Sequence, residues 1–255
     1  MGYGGIMKIN KIILVGALFA TVTFSANAAR KWSLTSIGST AIIGVVGNKN
    51  ISEQYDVQTA NDNDEENDDT GLISMAIDKL FYKDDPEVLT GQDRVDYCED
   101  YIRYALESIA SIKVAEQDVV LESDAYNSIV KNPLIGMDYE ISATGYTKNA
   151  RGLAPKKART LMKEVGVKSL IRATFKFDKV FNRESKWKCD VMPRVKMTVF
   201  VYNEKGTQIL MKDYVTSNAG TLPVRKFKYD QNALIEMYPA LIENVVNQFV
   251  MDYIE

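Results

Sequence analysis

The sequence predicts an α/β (α+β) chain, a single three-layer domain with a mixed central sheet of about five strands, helices packed on it and a C-terminal amphipathic helix. Three observations predict it. Apolar, β-branched segments alternate with segments of helical spacing, the pattern of strands joined by helical crossovers. Two strand-like runs flank Asn203-Glu204-Lys205-Gly206, a hairpin signal that adds an antiparallel side to the sheet. Residues Leu234, Met237, Tyr238, Leu241, Val245, Phe249 and Tyr253 form one apolar stripe between 230 and 253, with Asp230, Glu236, Glu243, Asn247 and Asp252 off it.

In chain order, residues 1–28 read as a cleaved secretory signal. Lys8 and Lys11 make a positive start, Ile12 to Phe24 is apolar, and Ala26-Asn27-Ala28 supplies an A-x-A cleavage site. The apolar run is short of the roughly 20 residues that span a bilayer. No cysteine lies near the site, so no lipid-anchor cysteine is encoded there. Residues 29–255 are expected to form the single domain, and no later segment has the apolar length of a membrane-spanning helix. The expected location is the periplasm.

Trp32 to Val46 reads as a central strand, because Ile42-Ile43 and Val45-Val46 place apolar groups on both faces. Residues 57–70 include Asp62, Asp64, Glu65, Glu66, Asp68 and Asp69 and offer little apolar surface to offset ordering entropy, so a disordered acidic loop is expected. Leu72 to Phe81 has helical spacing, and a second helix is expected from about Asp93 to Ser111. Ile112 to Leu121 reads as a second strand, and Glu122 to Leu153 as a long polar excursion. Ala154 to Val165 is a short helix with Pro155 in its first turn and Gly166 at the C-cap position. Ser169 to Val180, Val195 to Tyr202 and Thr207 to Thr216 read as strands. Pro239 is expected to kink or divide the last helix.

Composition narrows the chemistry. The 255 residues contain no histidine, which removes Ser-His-Asp and Cys-His nucleophile pairs and every His-containing zinc site. Two cysteines cannot build a four-cysteine zinc site or hold an iron–sulfur cluster within one chain. Export permits a Cys98–Cys189 disulfide. Against it, Cys98 shares a helical stripe with Val95, Ile102, Ala105 and Ile109, and Cys189 alternates with Trp187 and Val191 as on a strand face. Two buried thiols are the alternative.

Three short segments carry a family resemblance. These are Ile42 to Asn48 (IIGVVGN), Lys156 to Phe177 (KKARTLMKEVGVKSLIRATFKF) and Val195 to Leu210 (VKMTVFVYNEKGTQIL). In order of elements they resemble the exported bacterial envelope α/β domain of the curli-secretion protein CsgG and of the N-terminal part of TolB. The resemblance implies an envelope protein that assembles with other components and has no catalytic site to carry over. It departs from CsgG-like proteins in lacking an anchoring cysteine. The hairpin from Val195 to Thr216 carries Lys196 and Lys212 on arms of ordinary strand length, and no repeated alternation of lipid-facing apolar residues follows beyond it, so no pore is expected.

No residue is put forward as catalytic. There is no G-x-S-x-G, P-loop or G-x-G-x-x-G, and the carboxylates sit in no motif that fixes a geometry, so no enzyme is expected. The acidic run lacks the turn glycine and closing glutamate of an EF-hand, and neither metal nor cofactor is expected. Two binding candidates remain. In the loop from Tyr139 to Leu153, Tyr146 and Arg151 are the residues of interest, against the reading of a packed surface excursion. In the basic stretch Lys148, Arg151, Lys156, Lys157, Arg159, Lys163, Lys168 and Arg172, opposed only by Glu164, the residues Lys156, Lys157 and Lys163 lie off the apolar face. They form either a solvated helix face or a docking surface. The function expected is a non-catalytic assembly or accessory factor that binds envelope or outer-membrane proteins, with self-association as a variant. The alternative is a periplasmic ligand-binding module for a small molecule or an envelope polymer. Nucleic acid is excluded by export and by the net charge of −3, which removal of Lys8 and Lys11 makes more negative.

Overall fold

A computed structural model describes residues 32–55, 91–130, 139–150, 152–185, 188–217, 219–225 and 228–254. The chain divides into Met1–Lys31 and Trp32–Glu255, and every described residue belongs to the second unit. The expected leader, the acidic loop at 57–70 and the helix at 72–81 lie outside the described residues.

The unit is built on a mixed sheet. Strands β1 (Thr40–Asn48), β2 (Ser52–Tyr55), β3 (Glu140–Ser142), β4 (Ser169–Ser185), β5 (Lys188–Tyr202), β6 (Gln208–Thr216) and β7 (Leu222–Val224) run in the order β3-β1-β4-β5-β6, with β2 beside β4 and β7 beside β5. β1 and β4 are parallel, while β4, β5 and β6 form an antiparallel meander. That is the architecture expected, with a central path of five strands. β1 is buried from Thr40 to Gly47, as its paired apolar residues require.

The connection from β1 to β4 holds helices α2 (Gly91–Tyr104), α3 (Gln117–Glu122), α4 (Asp124–Val130) and α5 (Pro155–Val165), after the single turn α1 (Leu34–Ile37) that precedes β1. The chain ends in α6 (Gln231–Glu236) and α7 (Tyr238–Tyr253). Gly47 of β1 meets Val95 of α2 and Phe177 of β4, whereas Gly44 meets Thr147 and Ala150. Successive strand residues point to opposite faces, so α2 with its neighbour α7 covers one side and the 143–150 segment covers the other. The three layers follow.

Several elements differ from expectation, each for a local reason. The segment before β1 is a turn of helix and not strand, because the Ser33 hydroxyl accepts from the Ser36 amide at 3.2 Å while the Ser36 hydroxyl receives the Ser33 amide. Ile112 to Leu121 is not a strand. Only Val114 forms a bridge, to Thr40, and the chain then turns into α3, where Val120 is buried and Val119 is 47% exposed. β3 pairs with β1 only from Val46 to Asn48, and the chain after Val114 enters α3 at Gln117 before it can extend the bridge along β1. The expected excursion from 122 to 153 contains α4 and β3. β4 runs on to Ser185, and β5 begins at Lys188, so the longest hairpin is one that the turn residues did not announce. The expected second helix ends at Tyr104 and continues as a π-helical turn over Ala105–Ile109.

Other expectations hold. α5 starts with Pro155 and ends at Gly166, whose φ of 75° is the left-handed C-cap conformation that glycine adopts without strain. The turn between β5 and β6 is closed by the Asn203 amide donating to Thr207 and by Gly206 donating to Asn203. The final helix is divided at Met237, with Pro239 in the first turn of α7. Both cysteines are free thiols, Cys98 buried and Cys189 half-buried. Cys98 is a core group of α2, and burial pushes its thiol well above the ordinary range.

Candidate interaction surface

The loop from Tyr139 to Leu153 is held to α2 by carboxylates one helical turn apart. The Asp96 carboxylate accepts from the Thr144 amide at 2.6 Å, from the Thr144 hydroxyl at 2.8 Å and from the Gln92 side chain at 2.9 Å. One turn on, Glu99 accepts from the Tyr146 hydroxyl at 3.1 Å and from the Arg103 guanidinium at 2.7 Å. Arg103 also donates to the Ala115 carbonyl and to the Tyr146 oxygen. The Thr147 amide donates to the Tyr126 hydroxyl at 2.9 Å, and Gln117 donates to the Thr144 carbonyl. Glu99 is 7% exposed and Tyr146 is 6% exposed. Tyr146 is therefore an interior anchor of the loop, with its phenol engaged by the fold, while Tyr139 stands out at the surface. Arg151 lies outside the described residues.

Burial, followed by the charge of Glu99, drives the Tyr146 phenol far above its ordinary value of 10.0, and burial pushes Tyr126 up to about 12. A raised phenol pKa stabilises the fold below the unfolded value and loses that contribution as pH rises toward the folded one. Between about pH 10 and 12 the unfolded chain has lost protons that the native state retains, so stability should fall by about 1.4 kcal/mol per pH unit for each such phenol. Denaturant melts across that window should give a steeper fall for the wild type than for Tyr146→Phe. Equal slopes would show that the phenol titrates freely in the native protein.

α5 presents the second feature. Ala158, Leu161 and Met162 are buried and Val165 is partly covered, which is the apolar face read from the sequence. Lys156, Lys157, Arg159 and Lys163 are all exposed and have no ion-pair partner among the described residues. Lys156, Arg159 and Lys163, at i, i+3 and i+7, share one row, while Lys157 lies on the flank that also carries Glu164. Glu164 accepts from the Ala125 amide at 2.8 Å in the first turn of α4. At the other end, Pro155 packs against Gly206 of the β5–β6 turn. Arg172 does not belong to this surface. It is 4% exposed in β4, with its guanidinium 4.6 Å from the Phe200 ring centroid.

The most buried carboxylate among the described residues, Asp178, is paired with Arg194 at 2.9 Å and Lys176 at 3.2 Å, so it serves the sheet. Among the described residues no group of three or more Cys, Asp or Glu side chains is placed to hold a metal ion. No helix among them is long and apolar enough to cross a membrane.

No protein-family profile matches the sequence, and no curated protein matches it. Several solved structures are similar to the chain, among them the following three. The LpoB C-terminal domain from Salmonella enterica is 8% identical, covering 75% of this chain and 88% of its own, with a TM-score of 0.29. Lipoprotein GNA1162 from Neisseria meningitidis is 10% identical, over 82% and 99%, with a TM-score of 0.31. The hypothetical protein CT253 from Chlamydia trachomatis is 10% identical, over 85% and 97%, with a TM-score of 0.35.

The structure thus places the sequence candidates in different roles. Tyr146 lies inside, and Lys156, Lys157 and Lys163 stand on the surface together with Arg159. The residues missed by sequence reading are Asp96, Glu99 and Arg103, which hold the loop. Glu99 and Arg103 are an i, i+4 acid–base pair on an expected helix, and that spacing is the signal by which they can be found.

Proposed function

We propose that the chain is a non-catalytic periplasmic protein that acts as an assembly or accessory factor by binding other envelope proteins, with α5 as the contact surface. The observation that carries this reading is the row of Lys156, Arg159 and Lys163, exposed and without an ion-pair partner among the described residues, on a chain that is acidic overall. Charges without an ion-pair partner among the described residues are available to a partner, whereas Thr144 and Tyr146 of the loop are engaged with Asp96 and Glu99 of α2. A ligand-binding module built on that loop has correspondingly less to rest on. The leader pattern supports export, with residues 29–255 as the working domain, and the resemblance to the CsgG and TolB domains supports assembly with envelope components.

The test is crosslinking in living cells followed by affinity capture of the mature chain and mass spectrometry. Specific envelope proteins should be recovered, and recovery should fall several-fold when Lys156, Lys157 and Lys163 are changed to Glu. Recovery of the chain alone would sink the accessory role.

A further inference from the structure

We infer that α5 docks an acidic helix of a partner protein, one whose carboxylates repeat along a single face. This rests on the reading of α5 as the contact surface and adds the chemistry of what it contacts. Lys156 and Lys163 stand seven residues apart on one helix with Arg159 between them in sequence, about 10.5 Å at the α-helical rise of about 1.5 Å per residue. A partner helix with Asp or Glu at i, i+3 or i+4, and i+7 carries negative charge at the same repeat, and Arg159 adds a planar donor pair suited to a carboxylate. Beside the three cations, on the side toward Glu164, sits Thr160, exposed but small, with its hydroxyl turned back to the Lys156 carbonyl at 3.0 Å. Nothing bulky therefore stands between a partner and the row.

The surroundings favour a narrow protein segment over an anionic bilayer. The outer face of α5 exposes Lys156, Lys157, Arg159, Thr160, Lys163 and Glu164 and offers no large apolar side chain for insertion between lipids. On the α4 flank, Glu164 meets the backbone beside exposed Asp124, and exposed Lys157 stands on the same flank, so both signs border the row. A flat anionic surface would meet both signs at once. A single acidic helix laid along the row meets the cations, and the bordering carboxylates repel it from a displaced register.

The experiment uses the mature chain and three probes. One is an alanine-rich helical peptide with glutamates in a single stripe, the second has the same composition with glutamates spread around the helix, and the third is a phosphatidylglycerol vesicle. The striped peptide should bind about tenfold more tightly than the scattered one. Its binding should weaken as salt is raised, disappear in K156E/R159E/K163E, and return when a lysine-striped peptide is offered to that variant. Equal binding of both peptides, or binding to the vesicle with neither peptide bound, would overturn the inference. In the cellular capture, envelope proteins recovered equally by wild type and K156E/R159E/K163E would leave the accessory role standing and overturn docking on α5. The exposed positions of the three residues predict unchanged thermal unfolding, which is the control for the variant.

Discussion

Leu241→Ala in α7 is expected to cost about 2–5 kcal/mol of folding stability. Leu241 is 2% exposed, on a helix whose Ile242, Val245, Val246, Phe249 and Val250 are also buried. α7 packs on β5, β6 and α2, so the truncated side chain leaves a void bounded by both the sheet and a second helix. Collapse around it is limited by two bonds between helices: Tyr97 of α2 donates to Glu243 at 2.6 Å, and Tyr101 is paired with Asn247. The helix is also fastened at its far end, where Trp32 stacks on Tyr253 with ring centroids 4.5 Å apart. Urea denaturation of the two proteins measures the difference. A loss under about 0.5 kcal/mol, the level of a surface substitution, would mean that α7 is not docked on the sheet.

Glu99→Ala should cost about 2–4 kcal/mol, because it removes the common acceptor of Arg103 and Tyr146. The value is set below that of a fully buried ion pair, since the Arg103 side chain is 19% exposed and water can reach part of it. The phenol cannot compensate in the same way, being inside the core. Glu99→Gln keeps the shape and one acceptor oxygen, and should recover about half of the loss. Limited proteolysis supplies an independent readout: the 139–150 loop should become the first site of cleavage in Glu99→Ala, with the remainder of the domain intact. A loss under about 1 kcal/mol with an unaltered cleavage pattern would show that Asp96 and Tyr126 hold the loop without Glu99.

These two sites show how differently core and loop are written in the chain. The stripe from Leu234 to Tyr253 is periodic, so the burial of α7 could be read directly and Pro239 marked where the helix divides. The anchoring of the loop depends on residues about 45 positions apart in sequence, Asp96 with Thr144 and Glu99 with Tyr146, and only their i, i+4 companion on α2 leaves a local trace. Polar loop composition left Tyr146 either a binding residue or part of a packed excursion, and its burial follows from the partner that the fold brings to it.

Residue order by itself determined the alternation of strands and helices, the hairpin at Asn203 to Gly206, the limits of α5 and the apolar faces of α5 and α7. Each is set by contacts within a few residues: periodicity, a cap, or a glycine able to adopt positive φ. The tertiary structure alone decided that Val114 would bridge without founding a strand, that β4 and β5 would extend to Ser185 and back from Lys188, and that Arg172 would lie over Phe200 while Arg159 stayed in water. Those outcomes turn on which neighbours occupy each edge and face of the sheet. A lone segment has no such neighbours, and its apolar residues suit a strand or a helix equally well until the packed domain offers a place for only one.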